Sequence, residues 1–133
     1  MPKPKNEGYL GNSQVKRSGV AEEWDDQKVQ EYLRCTRDPA YFISKYIKII
    51  SLDEGLVPFK LYEYQENLIN HFNDNRFNIV LACRQSGKSI TVCAYLLWYL
   101  LFNPEQTVAI LANKGATARE MLSRITTMLE NVP

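Results

Sequence analysis

Apolar residues change their rhythm several times along this chain, and each change marks an element. Residues 1 to about 20 show almost no apolar periodicity. Pro2, Pro4, Gly8, Gly11 and Gly19 interrupt the stretch, and Lys3, Lys5, Lys16 and Arg17 against Glu7 make it locally basic. It reads as a flexible basic arm. From Glu22 the pattern turns acidic and then helical: Asp25 and Asp26 open a segment with Val29, Tyr32 and Leu33 at helical spacing. Asp38-Pro39 reads as an N-cap followed by proline at the first helical position. It starts a second helix carrying Tyr41, Phe42, Tyr46 and Ile47. Gly55 and Pro58 then break the chain, and Tyr62 to Phe72 is helical again, with Tyr64, Leu68, Ile69 and Phe72 on its apolar positions.

The second half alternates between strand and helix. Asn78-Ile79-Val80-Leu81-Ala82 is a short apolar run of strand length, and Lys88 to Phe102 is a helix apolar on nearly every face. Asn103-Pro104-Glu105 stops that helix, Thr107-Val108-Ala109-Ile110-Leu111 is a second apolar strand, and a helix from about Thr117 to Leu129 follows. Strands apolar on both faces belong to a parallel sheet covered by helices, and strand-helix-strand is one right-handed crossover. The pattern predicts an α/β chain built on an incomplete parallel sheet with flanking helices, preceded by a helical N-terminal segment. Its parts are a 1–20 arm, a 21–60 helical lead-in and a 61–133 first part of the α/β domain.

Composition narrows this only slightly. The chain has 133 residues, 45% of them hydrophobic, which suits one globular domain or the opening part of a larger one. A net charge of +1 names no partner, although a local groove of charge can still bind nucleic acid. Cys35, Cys83 and Cys93 form no CxxC pair and read as reduced thiols rather than a disulfide framework or a zinc site. With His71 as the one histidine, a histidine-rich metal site is excluded. Met1 is not followed by an apolar run, which argues against secretion, and Val92 to Phe102 is too short to span a bilayer.

The candidate chemistry sits between the first strand and the helix after it, in Ala82-Cys83-Arg84-Gln85-Ser86-Gly87-Lys88-Ser89. A phosphate-binding loop must bend after a strand, aim successive backbone N–H groups at phosphate oxygens and feed a helix N-terminus. Gly87 supplies backbone freedom, Lys88 an ammonium for the β- and γ-phosphates, and Ser89 a hydroxyl for Mg²⁺. Ile90 continues the loop into the helix. The pattern departs from GxxxxGK[ST] at Ala82, which replaces the first glycine and implies a differently shaped loop entrance. Arg84 lies inside the loop, where a guanidinium can meet the γ-phosphate or pair with a neighbouring acid. Cys83 reads as filler.

Three short signatures fall in one order: Leu61-Tyr62-Glu63-Tyr64-Gln65, then Cys83 to Ser89, then Ile110-Leu111-Ala112-Asn113-Lys114-Gly115. Together, from about Trp24 onward, they resemble the N-terminal part of the large terminase subunit of T4-like tailed phages, the motor that packs DNA into an empty capsid. The resemblance implies a helicase-like (ASCE) P-loop NTPase fold, ATP and Mg²⁺ as cofactors, and Lys88 and Arg84 as catalytic residues. It also makes Gln65, preceded by Tyr64, the reader of the adenine edge. Tyr62 stands where the family often has a basic residue. Double-stranded viral DNA, the portal protein, the small terminase subunit and further copies of the chain are the implied partners. The implied place is the host cytoplasm at the procapsid portal. Lys114 and Arg119 are candidates for a DNA backbone contact, or simply surface charge.

Hydrolysis needs an apolar strand ending in acidic residues, and Glu105, Glu120 and Glu130, the acids after the loop, do not follow one. The sequence is therefore expected to be a fragment lacking that strand and the nuclease domain. Such a piece would hydrolyse ATP negligibly and be poorly soluble alone. A superfamily 2 helicase fragment, or a non-catalytic nucleotide- or portal-binding module, are the competing readings.

Overall fold

The computed structural model describes Gly19, Ala21 and residues 23–133, so the basic arm expected at 1–20 lies almost wholly outside the described residues. The helical lead-in forms as its caps dictate. Helix α1 (Asp26–Arg37) starts where the Asp25 carboxylate accepts from the Lys28 N–H at 2.7 Å. Asp26 in its first turn and Arg34 and Arg37 in its last both favour the helix dipole. Helix α2 (Pro39–Tyr46) follows at once, with Asp38 accepting from the Tyr41 N–H at 3.0 Å and Pro39 opening the first turn.

The two helices are clamped through Glu31. Its carboxylate accepts from Lys45 Nζ at 2.6 Å, Tyr46 Oη at 2.7 Å and Tyr41 Oη at 2.9 Å. The Arg34 guanidinium lies over the Tyr41 ring, 3.8 Å from its centre. The Lys45 ammonium first, then the Tyr46 and Tyr41 hydroxyls, hold the Glu31 carboxyl at about 2, against an ordinary 4.5. A carboxyl depressed in the folded state stabilises it fully above the unfolded value and loses that contribution as pH falls through the folded one. Stability should therefore fall as pH drops from 4.5 towards 2. Glu31→Gln should flatten that limb in denaturation followed by circular dichroism across the same range. An unchanged acid slope would remove the clamp from the acid response.

Beyond Ile47 the chain forms a hairpin that the glycine and proline had suggested only as a break. Strands β1 (Lys48–Ser51) and β2 (Gly55–Pro58) pair antiparallel, with Ile49 opposite Val57 and Ile50 opposite Leu56. Gly55 closes the turn at φ +72°. Ile49 and Val57 turn toward the protein, while Ile50 and Leu56 face solvent, so the hairpin alternates as a one-sided sheet should. The Phe59 N–H donates to the Ile47 carbonyl at 2.9 Å and carries the pairing past the strands.

Helices α3 (Glu63–Asp74), α4 (Lys88–Phe102) and α5 (Gly115–Glu130) supply the rest; α5 begins two residues earlier than the sequence pattern indicated. The core joins Phe42, Ile43 and Ile47 to Phe59 and Ile69, with Cys93, Ala94, Leu97 and Trp98 of α4 and Ile125 and Met128 of α5. Rings cross between the helices: Phe42 meets Phe102 edge-on at 5.1 Å, and Phe72 meets Tyr95 at 5.4 Å. Cys35 and Cys93 are buried free thiols and Cys83 is an exposed one. Burial, with Glu31 nearby, pushes the Cys35 thiol up to about 11.

The expected parallel sheet is where the structure departs from the sequence reading. Neither Asn78 to Ala82 nor Thr107 to Leu111 forms a strand, and the sheet among the described residues is the antiparallel hairpin. The described chain is a mixed α/β unit of five helices and two strands. A strand exists through its neighbour's hydrogen bonds, and these two segments lie beside no strand that could provide them. Their alternation survives nonetheless: Val108 and Ile110 are half-buried, while Ile79, Leu81 and Leu111 stand open to solvent. No helix among the described residues is long and apolar enough to cross a membrane.

Candidate functional site

The 82–89 loop links an uncovered extended segment to a well-packed helix. Ala82 to Gln85 are exposed, and Ser86 to Ile90 become half-buried as the chain enters α4. Two left-handed residues bend it: Gln85 at φ +59° and Gly87 at φ +76°. Gly87 is also the N-cap of α4, and no side chain caps that end. The first N–H groups of a fifteen-residue helix are therefore not claimed by a capping side chain. With its macrodipole, such an end suits an anion.

Lys88 is folded back within this loop. Its Nζ donates to the Cys83 carbonyl at 2.9 Å, and the Ser86 hydroxyl donates to the same oxygen at 3.0 Å. The Cys83 carbonyl thus draws the loop into a closed ring, with the ammonium stored against its own backbone. Arg84 is exposed at the bend, and Ser89 sits half-buried in the first turn of α4. The residue types and the backbone fit a phosphate group held at this helix end, with a hydroxyl at Ser89 available to a divalent cation.

Gln65 and Tyr64 are brought to the loop from α3, although they precede it by about twenty residues. The Tyr64 hydroxyl would lie 3.5 Å from a Cβ built on Gly87, and Gln65 Nε2 only 2.7 Å from it. Tyr64 stacks with Tyr62 at 6.0 Å and 10°, and both rings are exposed. A cavity of about 570 Å³ opens between these residues, the hairpin and loop residues Gln85 to Gly87. Its size is ordinary for a small-molecule site.

Gln65 itself is not open to a ligand. It is 2% exposed; its Oε1 accepts from the Tyr62 N–H at 2.9 Å, and its Nε2 donates to Thr91 Oγ1 at 3.0 Å. Sequence reasoning did not single out Thr91. The signal available was a threonine in the first turn of a helix otherwise apolar on nearly every face. Lys114 is the N-cap residue of α5, and the Arg119 guanidinium lies over Gly115 one turn on. Both are exposed and at the same helix end.

These features define a mixed α/β unit whose site is a left-handed loop opening onto an uncapped helix. Residues 79–132 match the family model of the terminase large subunit, T4likevirus-type, N-terminal part. The match bears out the resemblance seen in the loop and in the segment after Ile110, and it supports reading this stretch as part of a terminase large subunit. It runs from the loop through α4 and α5; Tyr64 and Gln65 precede it.

Proposed function

We propose that the 82–89 loop is a phosphate-binding loop for ATP and that the chain is the N-terminal part of the motor that packages viral DNA. The observation that carries this is the loop itself, two left-handed residues leading into an uncapped helix whose first residue is a lysine. The family match over 79–132 supports it. In this reading Lys88 leaves the Cys83 carbonyl to meet phosphate oxygens, the N–H groups at the start of α4 surround them, and Ser89 holds Mg²⁺. Arg84, at the exposed bend, meets the terminal phosphate. Tyr64 lies against the base in the cavity beside the hairpin. When bound, the Mg²⁺ nucleotide supplies the phosphoanhydride whose cleavage drives movement of double-stranded DNA in the complete motor. The parallel P-loop sheet, portal protein, small subunit, self-association and the cytoplasmic setting at the procapsid belong to the same proposal.

Lys88→Ala should weaken binding of a fluorescent ATP analogue at least tenfold, since charge-assisted hydrogen bonds are worth roughly 1.5–3 kcal/mol each. Titration of both forms with Mg²⁺ present reads this directly, and equal affinities would sink the assignment. In the same samples, phosphate release should stay at background. Glu105, Glu120 and Glu130 do not end an apolar strand, and Glu120 is held by Arg124 at 2.6 Å.

A further inference from the structure

The position of Gln65 points to a role different from reading a base. Its carboxamide is consumed on both sides by the protein: the oxygen by the Tyr62 N–H, which opens α3, and the nitrogen by Thr91 Oγ1 in α4. Thr91 is fully buried, and its hydroxyl donates in turn to the Gly87 carbonyl at 2.8 Å. The Thr91 N–H reaches the same carbonyl at 3.1 Å, and Gln65 Nε2 lies 3.5 Å from it. A buried hydroxyl has one proton and must spend it well. Here it is directed at the residue that ends the loop, because the glutamine nitrogen occupies its acceptor side. The chain of bonds runs from the start of α3 through Gln65 and Thr91 to Gly87.

We infer that Gln65 and Thr91 are positioning residues: together they fix the Gly87 peptide, and so aim the N–H groups that would meet phosphate. The inference rests on the phosphate-binding reading of the loop and deepens it. It assigns Gln65 to the phosphate side of the site and leaves contact with the base to the exposed Tyr62 and Tyr64. Gly87 fits this account twice over. Its φ of +76° favours glycine, and a Cβ there would press on Gln65 Nε2 at 2.7 Å.

The test compares two probes, Mg²⁺-ATP and Mg²⁺-tripolyphosphate, on the full 133-residue chain by calorimetry. Thr91→Val keeps the side-chain shape and removes the hydroxyl. It should weaken both probes by the same factor, about five- to tenfold, as loss of one buried hydrogen bond implies. Thr91→Ser should restore both. Gln65→Leu should match Thr91→Val on both probes, and the double variant should be little worse than either, because the two act through one bond. If Gln65→Leu weakens ATP and leaves tripolyphosphate untouched, the glutamine reads the base and the inference falls while the loop assignment stands. If Thr91→Ser binds as poorly as Thr91→Val, the hydroxyl does no positioning and the inference falls again. If the unmodified chain and Lys88→Ala bind tripolyphosphate equally, the phosphate reading fails, and this inference with it.

Discussion

Gly87→Ala should destabilise the chain by roughly 2–3 kcal/mol and lower nucleotide affinity at least as far as Lys88→Ala does. Two separate costs meet at this residue. The left-handed φ of +76° costs an alanine roughly 1–2 kcal/mol. The new Cβ would then sit 2.7 Å from Gln65 Nε2, closer than non-bonded atoms tolerate. That nitrogen cannot step aside freely, since it is buried and bonded to Thr91. Relief of the contact breaks a bond worth roughly 1 kcal/mol and lets the loop exit move. Gly55→Ala provides the control. Its φ is +72°, nearly the same, but a Cβ there meets nothing within 4 Å. Urea midpoints should show Gly87→Ala losing clearly more than Gly55→Ala. Equal losses would mean that the backbone alone sets the cost and the Gln65 contact contributes nothing.

The two glycines also show which features the sequence disclosed. Gly87 was legible because it stands in a motif: strand-length apolar run, short polar loop, then a helix. The caps at Asp25 and Asp38 were legible for a similar local reason, since an acidic side chain before a helical rhythm has one economical use. Gly55 was read only as a break. The hairpin around it depends on Ile49 and Val57 finding each other across a turn, and on Phe59 returning to Ile47. Those pairings involve the chain's return path, which residue types alone do not reveal. The Gln65–Thr91 bond is longer in range still, and nothing in α4's apolar pattern announces that its threonine faces a glutamine from α3.

The segments at 78–82 and 107–111 carry the opposite lesson. Their β-branched, apolar composition announces strands correctly as a preference. Preference alone does not make a ladder, because a strand's N–H and carbonyl groups need a neighbouring strand about 4.8 Å away to bond to. Among the described residues the only ladder is the hairpin, so Ile79, Leu81 and Leu111 remain on the surface while Val108 and Ile110 keep their half-buried seats. In the parallel P-loop sheet proposed for the motor, both segments would find the neighbours that turn their preference into strands.

Trp98→Ala should be the most destabilising single change outside the loop, at roughly 3–5 kcal/mol. The reason begins in the sequence at Pro39. A helical carbonyl ordinarily accepts from the N–H four residues on, and for Cys35 that residue is Pro39, which has none. The proline that opens α2 therefore leaves the Cys35 carbonyl at the end of α1 without its usual donor. Trp98 Nε1 supplies one from α4 at 2.8 Å, a buried bond between residues far apart in the chain. The same ring packs against Tyr95 at 5.5 Å and Phe102 at 6.2 Å, and the residue is 5% exposed. Removing it opens a void, strands a buried acceptor and unties the lead-in helices from α4 together. Domains of this kind are stable by only about 5–15 kcal/mol, so the loss should bring the urea midpoint down by roughly a fifth or more. Trp98→Phe separates the two contributions: it keeps most of the packing and loses the bond, and should cost about 1–3 kcal/mol. Should Trp98→Phe match the parent chain, the indole bond to Cys35 would be dispensable, and packing alone would hold α1 to α4.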